Sequence, residues 1–395
     1  MKKFFSFKNL TVLCFLLLLS IMFVLGIRTC CYGGYQMLQT WRSSGEIATS
    51  TMENVYNDGL PGKYFFLDLN GGFQRLMGIR SINERYQLDN GYLTYIIPET
   101  DVTGIAENTI SFRDKLDALD IPFAYINTPF LIDPEDKQLP ISVEDYSNEN
   151  ADCFLSILKE NGVNTLDLRE LEKAQGLDHY SLYFRTDHHW KAETGFWAYQ
   201  QIVDWLARQD ASYTVDPVLT DPENYSYTTY ENIFMGSSGR RIGKLYAGMD
   251  DLTVISPKFE SSLRFEAPFY DLLREGSYEE TLLFPKYLSG GKDHETNRYN
   301  VYCGDEYPEL YITNSSRQKD LPVQSQPKRL LILKDSYSSV VIPYLALSYD
   351  ELCFIDMRLF GQDLMTFIED YQPDMVITLY NPGALEWHNH NMFPG

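Results

Sequence analysis

The chain has 395 residues, 44% of them hydrophobic and 22% charged, with 55 acidic against 33 basic side chains and a formal net charge of -22. Such composition excludes a disordered or low-complexity protein, and the length leaves room for one large core or two modest ones. No Lys/Arg-rich run interrupts the acidic excess, so nucleic acid is excluded as a partner; the excess reads first as a solvated surface and second as one that disfavours anionic polymers.

Residues 10 to 27 are almost wholly apolar, and neither a carboxylate nor an amine lies between Lys8 and Arg28. At about 1.5 Å rise per residue this run reaches nearly across a ~30 Å hydrocarbon core, which predicts a membrane-spanning helix. Lys2, Lys3 and Lys8 precede it, and the positive-inside rule then leaves the N-terminus cytoplasmic and the rest of the chain outside the cell membrane, in a single-pass topology. A cleaved signal peptide fits less well: its apolar part is shorter and ends at a small-x-small site, and Arg28-Thr29 before Cys30 does not suit a lipoprotein site. Residues 1 to 28 are therefore expected to form a cytoplasmic tip and transmembrane anchor, and residues 29 to 60 a stalk, with Gly33-Gly34 and Ser43-Ser44-Gly45.

The six cysteines are Cys14, Cys30, Cys31, Cys153, Cys303 and Cys353. The last three cannot all pair with one another, and Cys353 in Leu352-Cys353-Phe354-Ile355 reads as a buried apolar residue. No zinc-like spacing occurs.

Tyr64-Phe65-Phe66-Leu67 and Tyr92-Leu93-Thr94-Tyr95-Ile96-Ile97, flanked by Asn70-Gly71-Gly72 and Asp89-Asn90-Gly91, carry strand-and-turn chemistry. From about residue 105 the pattern alternates: a helix to residue 119, a buried strand at 122 to 127, a helix near 149 to 160 and a strand at 163 to 166. An amphipathic helix is expected at residues 192 to 206. Leu330-Leu331-Ile332-Leu333, Leu352-Cys353-Phe354-Ile355 and Met375-Val376-Ile377-Thr378-Leu379 then read as parallel strands covered on both faces. The fold class is α/β, a parallel sheet flanked by helices. Residues 211 to 326, rich in Tyr, Gly, Ser and Pro, read as an irregular insertion with some strands that walls the site.

Polar residues follow each C-terminal strand at once: Lys334-Asp335-Ser336, Asp356-Met357-Arg358 and Asn381. Ligands bind beyond the carboxyl ends of parallel strands, so these clusters are candidates for one crevice. Ser336 at a strand-to-helix turn suits a nucleophile beside free backbone N–H groups, and Asp335 or Ser336 suits equally a plain N-cap of the helix through Tyr344. Arg185-Thr186-Asp187-His188-His189-Trp190 places a carboxylate and an imidazole together, the two groups a serine nucleophile requires. The alternative makes Thr186 or Asp187 a cap and Trp190 core packing. Adjacent histidines with no third ligand at recognisable spacing do not make a metal site, nor do His388 and His390. Arg358 is suited to orient a carbonyl or hold a glycan carboxylate, or to pair with Asp356 or Asp187.

Thr186-Asp187-His188-His189-Trp190 resembles the signature of the DHHW protein family. Phe234-Met235-Gly236-Ser237, Asp250-Asp251, Leu333-Lys334-Asp335-Ser336-Tyr337 and Ile355-Asp356-Met357-Arg358-Leu359-Phe360 extend the resemblance over roughly residues 60 to 385. That family is similar to the alginate O-acetyltransferase group, whose SGNH-hydrolase-like domains have circularly permuted order, with Asp-x-His-Trp before Gly-Asp-Ser. The resemblance implies an SGNH-like (flavodoxin-like) catalytic domain at residues 61 to 385, with a tail at 386 to 395. It implies Ser336 as nucleophile, His189 as base and Asp187 as its partner. Asn381 falls at the oxyanion position, Arg358 and Tyr337 join the substrate-binding set, and His188 stands as the alternative base. Lys334 replaces the motif's glycine, which puts the turn geometry in question.

The function so implied is acyl transfer, of acetyl by the resemblance, onto a cell-surface or exported polysaccharide, with no cofactor and with a multi-pass acyltransferase of the MBOAT type as the acyl source. An esterase of the same fold and a catalytically silent glycan-binding or assembly scaffold are the rival expectations.

Overall fold

Successive side chains of a strand point to opposite faces of its sheet, and this decides how the apolar runs are used. In a computed structural model of the protein, which describes residues 7–44, 59, 62–320 and 328–387, the strands are β1 (Ser81–Ile82), β2 (Arg85–Gln87), β3 (Leu93–Thr94), β4 (Phe123–Asn127), β5 (Asn164–Asp167), β6 (Tyr225–Phe234), β7 (Asp250–Pro257), β8 (Leu263–Ala267), β9 (Leu272–Gly276), β10 (Glu309–Asn314), β11 (Arg329–Lys334), β12 (Glu351–Ile355) and β13 (Met375–Tyr380). Leu330 and Ile332 face one side of the sheet, packed with Phe354, Ile377 and the Ala192–Gln209 helix through Ala198, Ile202 and Leu206. Leu331 and Leu333 face the other, packed with Cys353, Ile355 and Val376 against the Thr103–Asp117, Ser147–Glu160 and Leu364–Tyr371 helices. Both faces are covered, which is why these strands read as continuous apolar runs.

The main sheet has eight strands in the order β5-β4-β13-β11-β12-β10-β8-β9. β5, β4, β13, β11 and β12 are mutually parallel, whereas β10 runs antiparallel to both β12 and β8, and β9 antiparallel to β8. The sheet is therefore mixed, not wholly parallel as expected, because β8, β9 and β10, from the stretch expected to be an irregular insertion, complete its edge. Their alternating burial, buried-intermediate in β8 and intermediate-buried in β10, is the pattern of antiparallel strands with one covered face. β6 and β7 form a separate two-stranded ribbon, and β1, β2 and β3 a small meander.

The chain divides into two compact units, residues 1–73 and 74–395. In the first, a single 38-residue helix, Phe7–Ser44, contains the apolar run. Among the described residues no helix is long and apolar enough to cross a membrane, so the expected transmembrane anchor is not found. The expectation rested on residues 10 to 27 alone, and the helix that forms runs on through Thr29, Gln36, Gln39, Thr40 and Arg42 as one mixed rod. A second correction concerns Tyr64-Phe65-Phe66-Leu67, which is helical within Lys63–Leu76. Phe65, Phe66, Leu69, Phe73 and Leu76 recur at helical spacing, and that periodicity outweighs the β preference of aromatic residues. Most of the stalk at 45 to 60 and His388 and His390 in the tail lie outside the described residues.

Candidate active site

Because β4, β13, β11 and β12 are parallel, the polar residues that follow them meet at one edge. Lys334 pairs with Leu379 and Leu333 with Ile355 in register, so Asp335, Asn381 and Asp356 emerge side by side. Asp335 is buried and accepts hydrogen bonds from Tyr337 N (2.8 Å), Asn381 N (2.8 Å) and Asn381 Nδ2 (2.6 Å). Burial pushes its carboxyl above the usual range, and the Asn381 bonds and the Arg358 charge offset part of that. Asp335, in extended conformation (φ -115°), caps the short 3-10 turn Ser336–Val340, after which Pro343 opens the helix Ile342–Ser348. The turn thus contains no left-handed residue at 334 or 335, and lysine is accommodated in place of glycine. The Lys334 side chain is buried and pairs with Glu306, with Asp356 3.9 Å away. Burial would lower its ammonium, but Glu306 and Asp356 outweigh that and raise it.

The Asp187 loop is closed by the bridge between Tyr183 and Trp190, with Lys191 N donating to Leu182 O (2.9 Å). Trp190 is fully buried and donates from Nε1 to Tyr337 O (2.7 Å), which ties this loop to the Ser336 turn. Thr186 donates from N and Oγ1 to Asp250 Oδ2 (2.8 and 2.7 Å), and its own Oγ1 accepts from Gly236 N (2.8 Å). Gly236 is required by close approach: a Cβ there would lie 2.3 Å from Asp187 Cβ and 2.6 Å from Thr186 O.

These supports bring three groups into line. Ser336 Oγ lies 2.8 Å from His189 Nε2, and His189 Nδ1 lies 2.9 Å from Asp187 Oδ1. With Nδ1–H donating to the carboxylate, Nε2 is left to accept the serine proton. Ser237 holds the carboxylate from behind, donating from N to Oδ2 (2.9 Å) and from Oγ to Oδ1 (3.0 Å). Burial by itself would raise the Asp187 carboxyl, but His189 and His188 outweigh it and hold it well below the usual carboxylate range. The His189 ring stacks on Tyr299 at 4.6 Å, which fixes its plane.

His188 is placed differently. Its Nδ1 lies 3.0 Å from Ser237 Oγ and 3.0 Å from Asp187 Oδ1, not at Ser336. Burial, then the neighbouring His189 charge, pushes it down to about 4. One ligand-type atom from each of Asp187, His188 and His189 lies within 4.8 Å of the others, so the third ligand expected to be missing is Asp187 itself. Both Nδ1 atoms are turned onto the one Asp187 oxygen, so this donor set is engaged in hydrogen bonds.

A cleft of about 560 Å³ opens over Ser336, lined among others by Tyr95, His188, Ser237, Arg358 and Asn381. Arg358 sits on Asp356 through Nε (2.8 Å) and a second nitrogen (2.5 Å), with Glu306 3.5 Å away, so the pairing reading of this residue describes its geometry while it still faces the cleft. Tyr337 is fully buried and donates its hydroxyl to His188 O (2.6 Å); it braces the loop and does not line the cleft, contrary to its expected place among substrate-binding residues. Asn381 lines the cleft with its amide on Asp335 and its oxygen accepting from Gly383 N (2.7 Å). Ser237, Asp250, Arg85 and Arg241 were given no role by the sequence; the Gly236-Ser237 and Asp250-Asp251 strings were the available signal for the first two.

The site sits in an α/β domain with a mixed, centrally parallel sheet and Asp-Ser at the carboxyl end of a central strand. Residues 131–224, which include the Asp187 loop, match the family described as ALGX, SGNH hydrolase-like domain, acetyltransferase AlgX. Among solved structures, Bacillus cereus PatB1 is 24% identical and superposes with a TM-score of 0.60 over 75% of this chain and 95% of its own. A DHHW family protein from Eubacterium siraeum is 17% identical, with a TM-score of 0.58 over 77% of this chain and 93% of its own. Identities this low establish a shared fold, and they bear out the resemblance drawn from the Asp187 and Ser336 motifs. No curated protein matches the chain significantly.

Proposed function

We propose that this chain is an SGNH-type O-acyltransferase that moves an acyl group, acetyl by its resemblance, onto a polysaccharide outside the cytoplasm, with Ser336 as nucleophile, His189 as base and Asp187 as the group that orients it. The observation that carries this reading is the unbroken line from Ser336 Oγ to His189 Nε2 (2.8 Å) and from His189 Nδ1 to Asp187 Oδ1 (2.9 Å) at the floor of a cleft.

Ser336 Oγ attacks the acyl carbonyl as His189 Nε2 takes its proton, forming a tetrahedral oxyanion. Ser336 N–H, at the head of a short helical turn, and the Asn381 amide proton that Asp335 does not take are the proposed donors to it. Collapse breaks the bond to the donor's leaving oxygen, which receives the His189 proton, and leaves an ester on Ser336. His189 then deprotonates an acceptor hydroxyl, which attacks that ester and regenerates Ser336. Asp187, kept ionised, stabilises the imidazolium formed in each half. By resemblance the donor is supplied by a multi-pass acyltransferase of the MBOAT type.

Hydrolysis of a chromogenic aryl acetate by the wild-type chain and by Ser336→Ala tests the reading. The variant is expected to lose at least about 10³-fold in kcat; equal rates would refute it. Acetylated saccharide appearing on addition of an acceptor separates transfer from hydrolysis.

A further inference from the structure

The chain carries 55 acidic residues against 33 basic ones, yet among the described residues the Arg85 guanidinium, within electrostatic reach of Asp187, meets no carboxylate at ion-pair distance. Among the described residues Arg85 makes one side-chain hydrogen bond, to the Glu84 carbonyl (2.9 Å), and no ion pair. Its Nε is buried without a partner, and its guanidinium lies 5.3 Å from the Tyr95 ring centre. Burial, then the charge of Arg241, lowers its affinity for a proton and outweighs the opposite pull of Tyr95, Asp187 and Glu84, none of which reaches it as an ion pair. Arg240, on the same short helix as Arg241, is lowered by burial as well. Arg358, by contrast, is neutralised by Asp356 and Glu306.

The presentation of Arg85 is built. The β1–β2 turn places Asn83 (φ 49°) and Glu84 (φ 59°) in the left-handed region, which is costly for Glu84. Asn83 Nδ2 donates to Arg241 O (3.1 Å), so the hairpin tip and the Ser237–Ile242 helix are fastened together with Arg85 and Arg241 both on the cleft wall that holds Ser336.

We propose that Arg85 and Arg241 form a subsite for an anionic group, a carboxylate or a phosphate, carried by the saccharide acceptor. This rests on the reading of Ser336 as an acyl-transfer centre. An acetyl group is small and uncharged, so a cleft of about 560 Å³, whose wall carries Arg85 and Arg241 besides the ion-paired Arg358 and the carboxylates of Glu84 and Asp335, is sized for the molecule that receives it. Guanidinium forks match both oxyanions, and a bound one gives the unpartnered Arg85 Nε an acceptor at ion-pair distance. The overall acidity opposes such a ligand only at range, because physiological salt screens charge beyond about 8 Å.

The test uses the full chain with Ser336→Ala, so that binding is read without turnover, titrated with glucose, glucuronate and glucose 6-phosphate and followed by the Arg side-chain N–H signals in NMR. At least one charged sugar is expected to bind about tenfold or more tightly than glucose, weakening with salt, and which one does so decides between carboxylate and phosphate. Arg241→Gln, at an exposed position, and Arg85→Gln are each expected to lower that affinity about tenfold with glucose unaffected. Equal binding of all three sugars, no binding of either charged one, or unchanged affinity in Arg241→Gln overturns the proposal. The aryl acetate assay reports separately on Ser336, so the two readings fail independently.

Discussion

Replacing Asp187 by Asn removes one charge at nearly constant shape and isolates what the carboxylate does. Its Oδ1 faces His189 Nδ1 at 2.9 Å and its Oδ2 accepts from Ser237 N at 2.9 Å. An asparagine that keeps its oxygen toward Ser237 N must turn its NH2 toward His189 Nδ1. His189 would then carry its proton on Nε2, the atom that has to accept from Ser336. The expected loss in kcat for a wrong tautomer is about 10⁴-fold, or ~5.4 kcal/mol of transition-state stabilisation. Stability moves in a second, checkable way. Because the folded-state pKa of Asp187 is depressed, its contribution is present above the unfolded value of about 3.9 and is lost as pH falls through the folded value. Asp187→Asn should therefore flatten the acid limb of the stability curve, measured by urea unfolding from pH 6 down to 3. The assay is aryl acetate turnover on protein verified as folded by near-UV circular dichroism. More than a tenth of wild-type kcat in folded Asp187→Asn would refute the reasoning.

Gly236→Ala should misplace Asp187, since the new Cβ meets Asp187 Cβ at 2.3 Å; a displacement of about 1 Å predicts roughly a 10²-fold fall in kcat, read by the same assay. Lys334→Ala leaves Glu306 and the buried Asp356 with Arg358 alone and is expected to cost about 3 kcal/mol in urea unfolding. His179 faces two acceptors, Glu172 Oε1 at 2.6 Å and Leu131 O at 3.1 Å, so its ring donates from both nitrogens as an imidazolium. Burial alone would lower its pKa, but Glu172 raises it above 6.5. That contribution is complete below the unfolded pKa and is lost as pH rises through the folded value, and His179→Gln should abolish this part of the alkaline slope in thermal melts.

The sequence by itself determined the parallel core. The runs Leu330-Leu331-Ile332-Leu333, Leu352-Cys353-Phe354-Ile355 and Met375-Val376-Ile377-Thr378-Leu379 are apolar at every position because helices cover both faces, and that covering leaves its mark residue by residue. It also supplied Asp187, His189 and Ser336, whose types and order carry the motif. It misread Tyr64-Phe65-Phe66-Leu67, where aromatic content outshone helical spacing, and it placed a membrane span on a run that the structure makes part of a longer, mixed helix. Only the tertiary structure decided which histidine reaches the serine, because adjacent imidazoles differ in direction and not in chemistry. His188 turns to Ser237 and His189 to Ser336, set by the bridge at Trp190 and the stacking of Tyr299. It alone decided that Tyr337 is a brace and that β8, β9 and β10 finish the sheet. It alone gathered Arg85 and Arg241 onto the cleft wall, since partners 156 residues apart in the chain leave no trace in spacing and meet only when the fold closes.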